Sequence, residues 1–356
     1  MKKILVMFAI LMILPVDVYG ITVSSRSACL MDVDSGRVLF SKDEDNPRLI
    51  ASITKIMTAI LAIESNRLDE EVTVGEEVLK MYGSNIYIEL GEKMLLRDLV
   101  YGLMLRSGND AAIVISVFVG GTEENFVDMM NRKAQSIGMT NTIFMNPHGL
   151  DEDTENKSTA YDMALLSSYA SKNETYLKIA GTDKYTVQSD KKSYIWHNRN
   201  KLLDSYSDCI AGKTGYTPRA GRTLVTNALR DGLHLTAVTL NDGNEYVTHE
   251  ELYEYAFENY KNYRILEPKK FKIDDAYYPD KVYIKNNFTY PLTEEETENV
   301  KVEVKLTKLK HYVDGDVVGY VSVKLGEEEI HTQKVYVQIK EKKESFFSRI
   351  WSWFRA

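Results

Sequence analysis

Cysteine is scarce in this chain. Two residues, Cys29 and Cys209, are all that 356 positions hold, so no disulfide framework carries the fold and a self-sufficient core must. Both stand in apolar, strand-like runs, where a buried free thiol is the ordinary outcome, although the sequence leaves a pairing of the two open. Positive charge is also in short supply: 44 lysines and arginines face 52 aspartates and glutamates, a net charge of -8. That balance repels phosphate backbones and excludes nucleic acid as a partner. Six histidines are present, yet none belongs to a His-Glu-x-x-His segment, and His249-Glu250-Glu251 runs on into Leu252-Tyr253. A zinc peptidase therefore has no support, and neither a metal nor another cofactor is expected.

A membrane-spanning run is missing at the N-terminus too. The apolar stretch from Ile4 to Val16 has 13 residues, against about 20 needed to cross a bilayer. With Lys2 and Lys3 before it and the small residues Val18 and Gly20 after it, residues 1–20 read as an export signal cleaved after Gly20. The alternative is an uncleaved anchor. Either way the chain is expected to work at the outer face of the cytoplasmic membrane or in the cell wall.

What remains is enough for two domains, with 44% hydrophobic residues to build their cores. Ala28 to Phe40 reads as a hairpin turning at Asp34-Ser35-Gly36. Ile53, Ile56, Met57, Ile60 and Leu61 then follow the spacing of a buried helix face, which sets Ser52 at or beside a helix start. Helical patterns continue over Leu96 to Phe118 and Glu123 to Ser136. Thr223 to Ala228 and Leu233 to Leu240 read as strands turning at Asp231-Gly232. Strand, then helices, then strands suits a sheet whose first and last strands meet around a helical insertion. The expected catalytic domain covers residues 21–262. From Tyr263 to Lys340 alternation takes over, as in Val300, Val302, Val304 and Leu306, and in Val335, Val337 and Ile339, so residues 263–340 are expected to be a small all-strand domain for spacing or recognition. Residues 341–356 place Phe346, Phe347, Ile350, Trp351 and Phe354 on one helical stripe beside Arg349 and Arg355. This predicts an amphipathic anchor on the membrane surface, with a helix packed on its own domain as the alternative.

Three motifs carry the chemistry: Ser52-Ile53-Thr54-Lys55, Ser107-Gly108-Asn109 and Lys213-Thr214-Gly215. Ser-x-x-Lys recurs at Ser189 to Lys192 and Ser-x-Asn at Ser171-Lys172-Asn173, so neither pattern is specific alone. Setting distinguishes the first copies. Ser52 begins an amphipathic helix, and Lys55 three residues on shares its face. Ser107-Gly108-Asn109 interrupts two helical runs, and Lys213-Thr214-Gly215 occurs once. A serine hydroxyl needs a base, and burial, a helix N-terminus and a second ammonium such as Lys213 all favour the neutral form of Lys55. Ser107 is placed to relay a proton to a leaving amine, Asn109 to bind a substrate amide, and Lys213 with Thr214 to hold a carboxylate. Gly215 would let a substrate backbone lie along a strand edge.

In this order the motifs resemble the penicilloyl serine transferases, which include penicillin-binding proteins and class A β-lactamases. Within that group the chain is similar to low-molecular-mass D-alanyl-D-alanine carboxypeptidases. Ala51 to Lys55, Arg106 to Ala112, Asn146-Pro147-His148-Gly149-Leu150, Ser158 to Ala164 and Gly212 to Thr217 carry the likeness, and the sporulation-associated kind is among its counterparts. The resemblance implies an α+β fold of the serine β-lactamase and D,D-peptidase kind, an antiparallel sheet with a helical cluster. A small β domain and an amphipathic end would follow. It implies Ser52 as the acylated nucleophile, Lys55 as proton acceptor, Ser107 as second serine, and Lys213 and Thr214 at the substrate carboxylate. The amides of Ser52 and Tyr216 would hold the oxyanion, and His148 would sit in a structural loop. The implied substrates are peptidoglycan stem peptides ending in D-Ala-D-Ala, the implied inhibitors β-lactams. A β-lactamase would carry Glu-x-x-Leu-Asn between the second and third motifs, and residues 110–212 hold none. Endopeptidase action on cross-links stays open.

Overall fold

The computed structural model of the chain describes residues 21–273, 275–278 and 281–339. The expected export signal and the expected amphipathic segment over 341–356 lie outside the described residues.

The opening hairpin pairs β1 (Ser27–Asp32) with β2 (Val38–Lys42), and the Asp32 carboxylate closes its turn by accepting the Ser35 amide at 2.8 Å. β3 (Arg48–Leu49) leads to a 3-10 turn, Ala51–Thr54, which runs straight into α1 (Lys55–Glu64). A short ladder of β4 (Glu71–Thr73) and β5 (Lys93–Leu95) precedes α2 (Leu96–Arg106), α3 (Asn109–Gly120) and α4 (Glu123–Ser136). The expected break falls between α2 and α3, where Ser107 at φ +63° ends the first helix. β6 (Lys157–Ser158) pairs back with β3, and α5 (Ala160–Ser171) and α6 (Glu174–Ala180) follow. A hairpin of β7 (Lys184–Gln188) and β8 (Ser193–His197), a short α7 (Leu202–Ser205), and β9 (Cys209–Thr217), β10 (Gly221–Arg230) and β11 (Leu233–Leu240) come next. β10 and β11 turn on Asp231 at φ +51° and Gly232 at φ +79°, the two positive values of a tight hairpin turn. α8 (Glu245–Asn259) closes this part of the chain.

The main sheet has the order β2-β1-β11-β10-β9, so the first strand does pair with the last, Ser27 opposite Leu240. All six residues of β1 are buried because the sheet is covered on both faces. Cys29, Met31, Val225 and Val238 face the core built with α1 to α6. Ala28, Leu30, Leu235 and Ala237 face Leu252, Tyr253 and Ala256 of α8. Each large aliphatic side chain so buried contributes about 1.5–3 kcal/mol, which explains how the fold stands while Cys29 and Cys209 are both buried free thiols.

The C-terminal strands are β12 (Lys261–Leu266), β13 (Lys281–Tyr283), β14 (Phe288–Leu292), β15 (Val300–Leu306), β16 (Val317–Leu325) and β17 (Glu328–Gln338). β12 pairs with β14, and the other four form a sheet of order β13-β17-β16-β15. The composition shift at Tyr263 thus falls inside β12. Val335 and Val337 are fully buried, as their alternation predicts, but Val302 is 47% exposed because β15 is an edge strand. Arg37 of the opening turn region meets this part of the chain: it donates to the Pro291 carbonyl at 2.5 Å, pairs with Glu296, and lies 5.3 Å from the ring centres of Tyr260 and Tyr290.

Candidate active site

Ser52 lies in the 3-10 turn just ahead of α1, at the positive end of the helix. The preceding Ala51 takes φ +48°, a conformation costing an L-residue about 1–3 kcal/mol that surrounding contacts must hold. Those contacts are specific. Thr223 Oγ1 donates to the Ile50 carbonyl at 3.0 Å, and Thr58 Oγ1 to the Pro147 carbonyl at 2.6 Å. Two glycines complete the clamp. A Cβ on Gly149 would stand 2.0 Å from the Ala51 carbonyl oxygen, and one on Gly215 would stand 2.4 Å from Thr223 Oγ1 and 3.0 Å from Ser52 N. Sequence reasoning assigns Gly215 to clearing the substrate's path; the contacts add a nearer reason, the close approach of β9 to the nucleophile's own backbone.

Lys55 is completely buried, and its Nζ has three neighbours: Ser52 Oγ at 3.0 Å, Asn109 Oδ1 at 2.7 Å and the His148 carbonyl at 2.5 Å. An amide oxygen and a peptide carbonyl can only accept, so each takes an N–H from the lysine. Ser52 alone carries a proton to give. In a neutral amine the two N–H bonds are committed, and the lone pair is left for the Ser52 hydroxyl. Burial favours that neutral form most strongly, holding Lys55 well below the usual 10.5. The Lys213 charge pushes the same way, Asp110 opposes it, and Arg199 adds a smaller push downward.

The second and third motifs surround this pair. Ser107, 3% exposed and strained at φ +63°, lines the same cleft as Thr214 and Gly215. Lys213 is buried, donates to the Thr214 carbonyl at 2.7 Å, and is pushed down to about 7 by burial and then by Arg199. Asn109 is anchored at both ends within the protein. Its Oδ1 accepts from Lys55, and its Nδ2 donates to the Tyr82 carbonyl at 2.7 Å, so both ends of the amide are engaged within the protein. β9 forms the edge of the sheet. Arg222 turns its carbonyl toward the Asp242 amide at 3.0 Å and away from β9, which makes Tyr216, its partner across β9 and β10, a non-hydrogen-bonded position. The Tyr216 N–H therefore faces the open edge, on the strand that passes beside Ser52 N.

A cleft of about 290 Å³ collects Ser52, Ser107, Thr214, Gly215 and Tyr216. It also holds residues that sequence reasoning missed, among them Ser84, Arg199, Glu245 and Tyr246. No local pattern marks them, since each comes from a distant loop or from α8. Of the two arginines that follow the third motif in sequence, Arg222 lines the cleft, 3.4 Å from Glu245. Arg219 turns away to the Asp151 carbonyl and Glu155. His148 is held neutral, pushed down to about 3 by burial and then by Lys55, and its Nδ1 accepts the Leu150 amide at 3.1 Å. Its carbonyl, not its ring, meets the reacting pair.

Comparison with known proteins agrees with this geometry. Residues 15–244 match the family described as D-alanyl-D-alanine carboxypeptidase, peptidase S11, and residues 269–343 match the C-terminal domain of penicillin-binding protein 5. The D-alanyl-D-alanine carboxypeptidase DacF of Bacillus subtilis (strain 168) is 34% identical over 250 residues, 67% of this chain and 64% of that protein. The chain thus spans just under two thirds of DacF. DacA of Haemophilus influenzae, also a D-alanyl-D-alanine carboxypeptidase, is 29% identical over 362 residues, 94% of this chain and 90% of that protein. Among solved structures, the D-alanyl-D-alanine carboxypeptidase DacD from Francisella tularensis superposes with a TM-score of 0.70 at 26% identity, covering 96% of each chain. With the three motifs converging on one cleft at the edge of an antiparallel sheet, the chain belongs to the S11 family of D-alanyl-D-alanine carboxypeptidases.

Proposed function

We propose that this chain removes the terminal D-alanine from peptidoglycan stem peptides ending in D-Ala-D-Ala, through an acyl-enzyme on Ser52. The observation that carries the reading is the buried Lys55 amine, whose third neighbour after two fixed acceptors is the Ser52 hydroxyl. Lys55 takes the Ser52 proton as the oxygen attacks the carbonyl of the penultimate residue. The amides of Ser52 and Tyr216 receive the negative charge that develops on that carbonyl, where fixed dipoles act most strongly. Ser107 relays that proton from Lys55 to the departing D-alanine amine as the C–N bond breaks. Water then attacks the acyl-Ser52 carbonyl and frees the shortened peptide. Thr214 and Lys213, with Arg199 on the cleft wall, receive the terminal carboxylate, and the free edge of β9 takes the peptide as an added strand. Asn109 acts on the reaction by holding Lys55.

A β-lactam places a strained amide on the same path and leaves a penicilloyl group on Ser52. Residues 21–262 form the catalytic part and 263–340 a spacer or recognition part. Export by residues 1–20 and surface anchoring by 341–356 put the enzyme at the outer face of the cytoplasmic membrane; among the described residues, no helix is long and apolar enough to cross it. Deleting residues 345–356 is expected to release the protein from membranes with peptide cleavage intact, and retention would overturn the anchor.

Incubation with a fluorescent penicillin and, separately, a D-Ala-D-Ala pentapeptide tests the assignment. Labelled wild type, unlabelled Ser52→Ala and stoichiometric free D-alanine are expected. Equal labelling of both proteins would overturn the nucleophile. Rapid loss of the label would mark a β-lactamase, and cleaved cross-links without free D-alanine an endopeptidase.

A further inference from the structure

Directly after Asn109 stands a carboxylate that the proposed steps do not use. Asp110 is 3% exposed, and four backbone amides converge on it. Ile86 donates at 3.0 Å to Oδ1, Tyr87 at 2.7 Å and Ile88 at 3.3 Å to Oδ2, and Ala111 at 2.9 Å to Oδ1. Three successive amides on one carboxylate are not a feature of strand or helix. They require a curled backbone, and Tyr87 supplies it at φ +63°. The curl sends Ile86 and Ile88 into the core, 4% and 6% exposed, while Tyr87 projects outward at 73%. A left-handed tyrosine is costly unless something holds it, and without the four amides a buried carboxylate would be costly as well. Each offsets the other.

The same segment reaches the cleft. Asn109 N donates to the Ser84 carbonyl at 2.7 Å, and Asp110 N to Asn85 Oδ1 at 3.2 Å. Ser84 lines the cleft and accepts from Arg199 Nη1 at 2.9 Å.

We infer that Asp110 is a positioning residue for acyl transfer: its carboxylate fixes residues 84–88, and through Ser84 it fixes the Arg199 guanidinium on the cleft wall. The inference rests on the proposed role of Ser52, so wild-type penicillin labelling is measured first; its absence would fail that reading and not this one. Given labelling, Asp110→Asn, which removes the charge and turns a side-chain amide NH2, a donor, toward one of the backbone N–H groups, is expected to lower the second-order acylation rate roughly 10- to 100-fold, the scale of a misplaced wall. Ser84→Ala is expected to lower it less. The double variant should acylate no more slowly than Asp110→Asn alone, because both act through one contact. Multiplying effects, or an Asp110→Asn rate equal to wild type, would overturn the inference. Hydrogen exchange on the wild type gives a reading that no misfolded variant can spoil. The amides of Ile86, Tyr87 and Ile88 should exchange slowly, as slowly as the hydrogen-bonded amides inside α3, and fast exchange there would equally overturn it.

Discussion

Two Ser-x-x-Lys segments lie in this molecule, and the same spacing has opposite results in them. At Ser52 the chain is helical, so residues three apart lie on one face and the Lys55 amine comes within 3.0 Å of the serine oxygen. At Ser189 the chain is the tip of the β7–β8 hairpin. There Ser189 N donates to the Lys192 carbonyl at 3.0 Å, and Ser189 Oγ accepts the amides of Lys191 and Lys192 at 3.1 Å each. The backbone pairs these two residues, while the Lys192 side chain runs away to the Tyr87 carbonyl at 2.8 Å and Glu89 at 2.7 Å. Lys55 is sealed from water; the Lys192 side chain is 36% exposed. A motif becomes a base only where secondary structure turns both side chains together and burial favours the uncharged amine. The repeated Ser-x-Asn pattern behaves alike, since Asn173 caps α6 by accepting the Thr175 and Tyr176 amides.

Substitution in pairs puts this contrast at risk. The largest effect is at the serines: Ser52→Ala should lose acylation by a factor of about 10⁶, as removal of a nucleophile does, whereas Ser189→Ala should keep the wild-type rate; both are read by penicillin labelling. Next come the lysines. Lys55→Gln should slow acylation about 10²- to 10⁴-fold, the range of a lost general base, and Lys192→Gln should leave it unchanged in stopped-flow assays. A smaller loss is expected for Gly215→Ala, whose methyl must displace Thr223 or the Ser52 turn. Overpacking of this sort costs about 1–3 kcal/mol, visible as a lower thermal midpoint together with slower acylation. The smallest is a shift in the pH profile, read apart from the carboxylate binding that the same substitution removes. Lys213→Gln removes a charge that holds Lys55 down, so the Lys55 pKa rises and the acid limb of the acylation profile moves to higher pH. A limb that stays in place or moves lower would contradict the coupling.

Much of this was legible from the residues alone. The helix start at Ser52, the break at Ser107, the β10–β11 turn and the pairing of the outer strands follow from local periodicity and turn chemistry. The companions of Lys55 were harder to read. The His148 carbonyl and the Gly149 contact with Ala51 depend on a loop folding across some ninety positions of sequence, and a backbone carbonyl leaves no mark in side-chain identity. Arg199 and Ser84 reach the cleft from separate loops for the same reason. Asn109 was recognisable as a site residue, but its engagement on both sides by Lys55 and Tyr82 depends on where the 82–88 segment folds. Val302 kept its alternation and lost its burial because alternation cannot tell an edge strand from a central one.

The neutral Lys55 is the hinge of the account, and the pH dependence of wild-type acylation by a β-lactam tests it most directly. With the Lys55 pKa held well below the ordinary 10.5, the rate should reach its plateau well before pH 10.5 and fall as acid protonates the amine. A rate that keeps climbing tenfold per unit through neutral pH toward 10.5 would show an ordinary, protonated lysine beside Ser52 and contradict it.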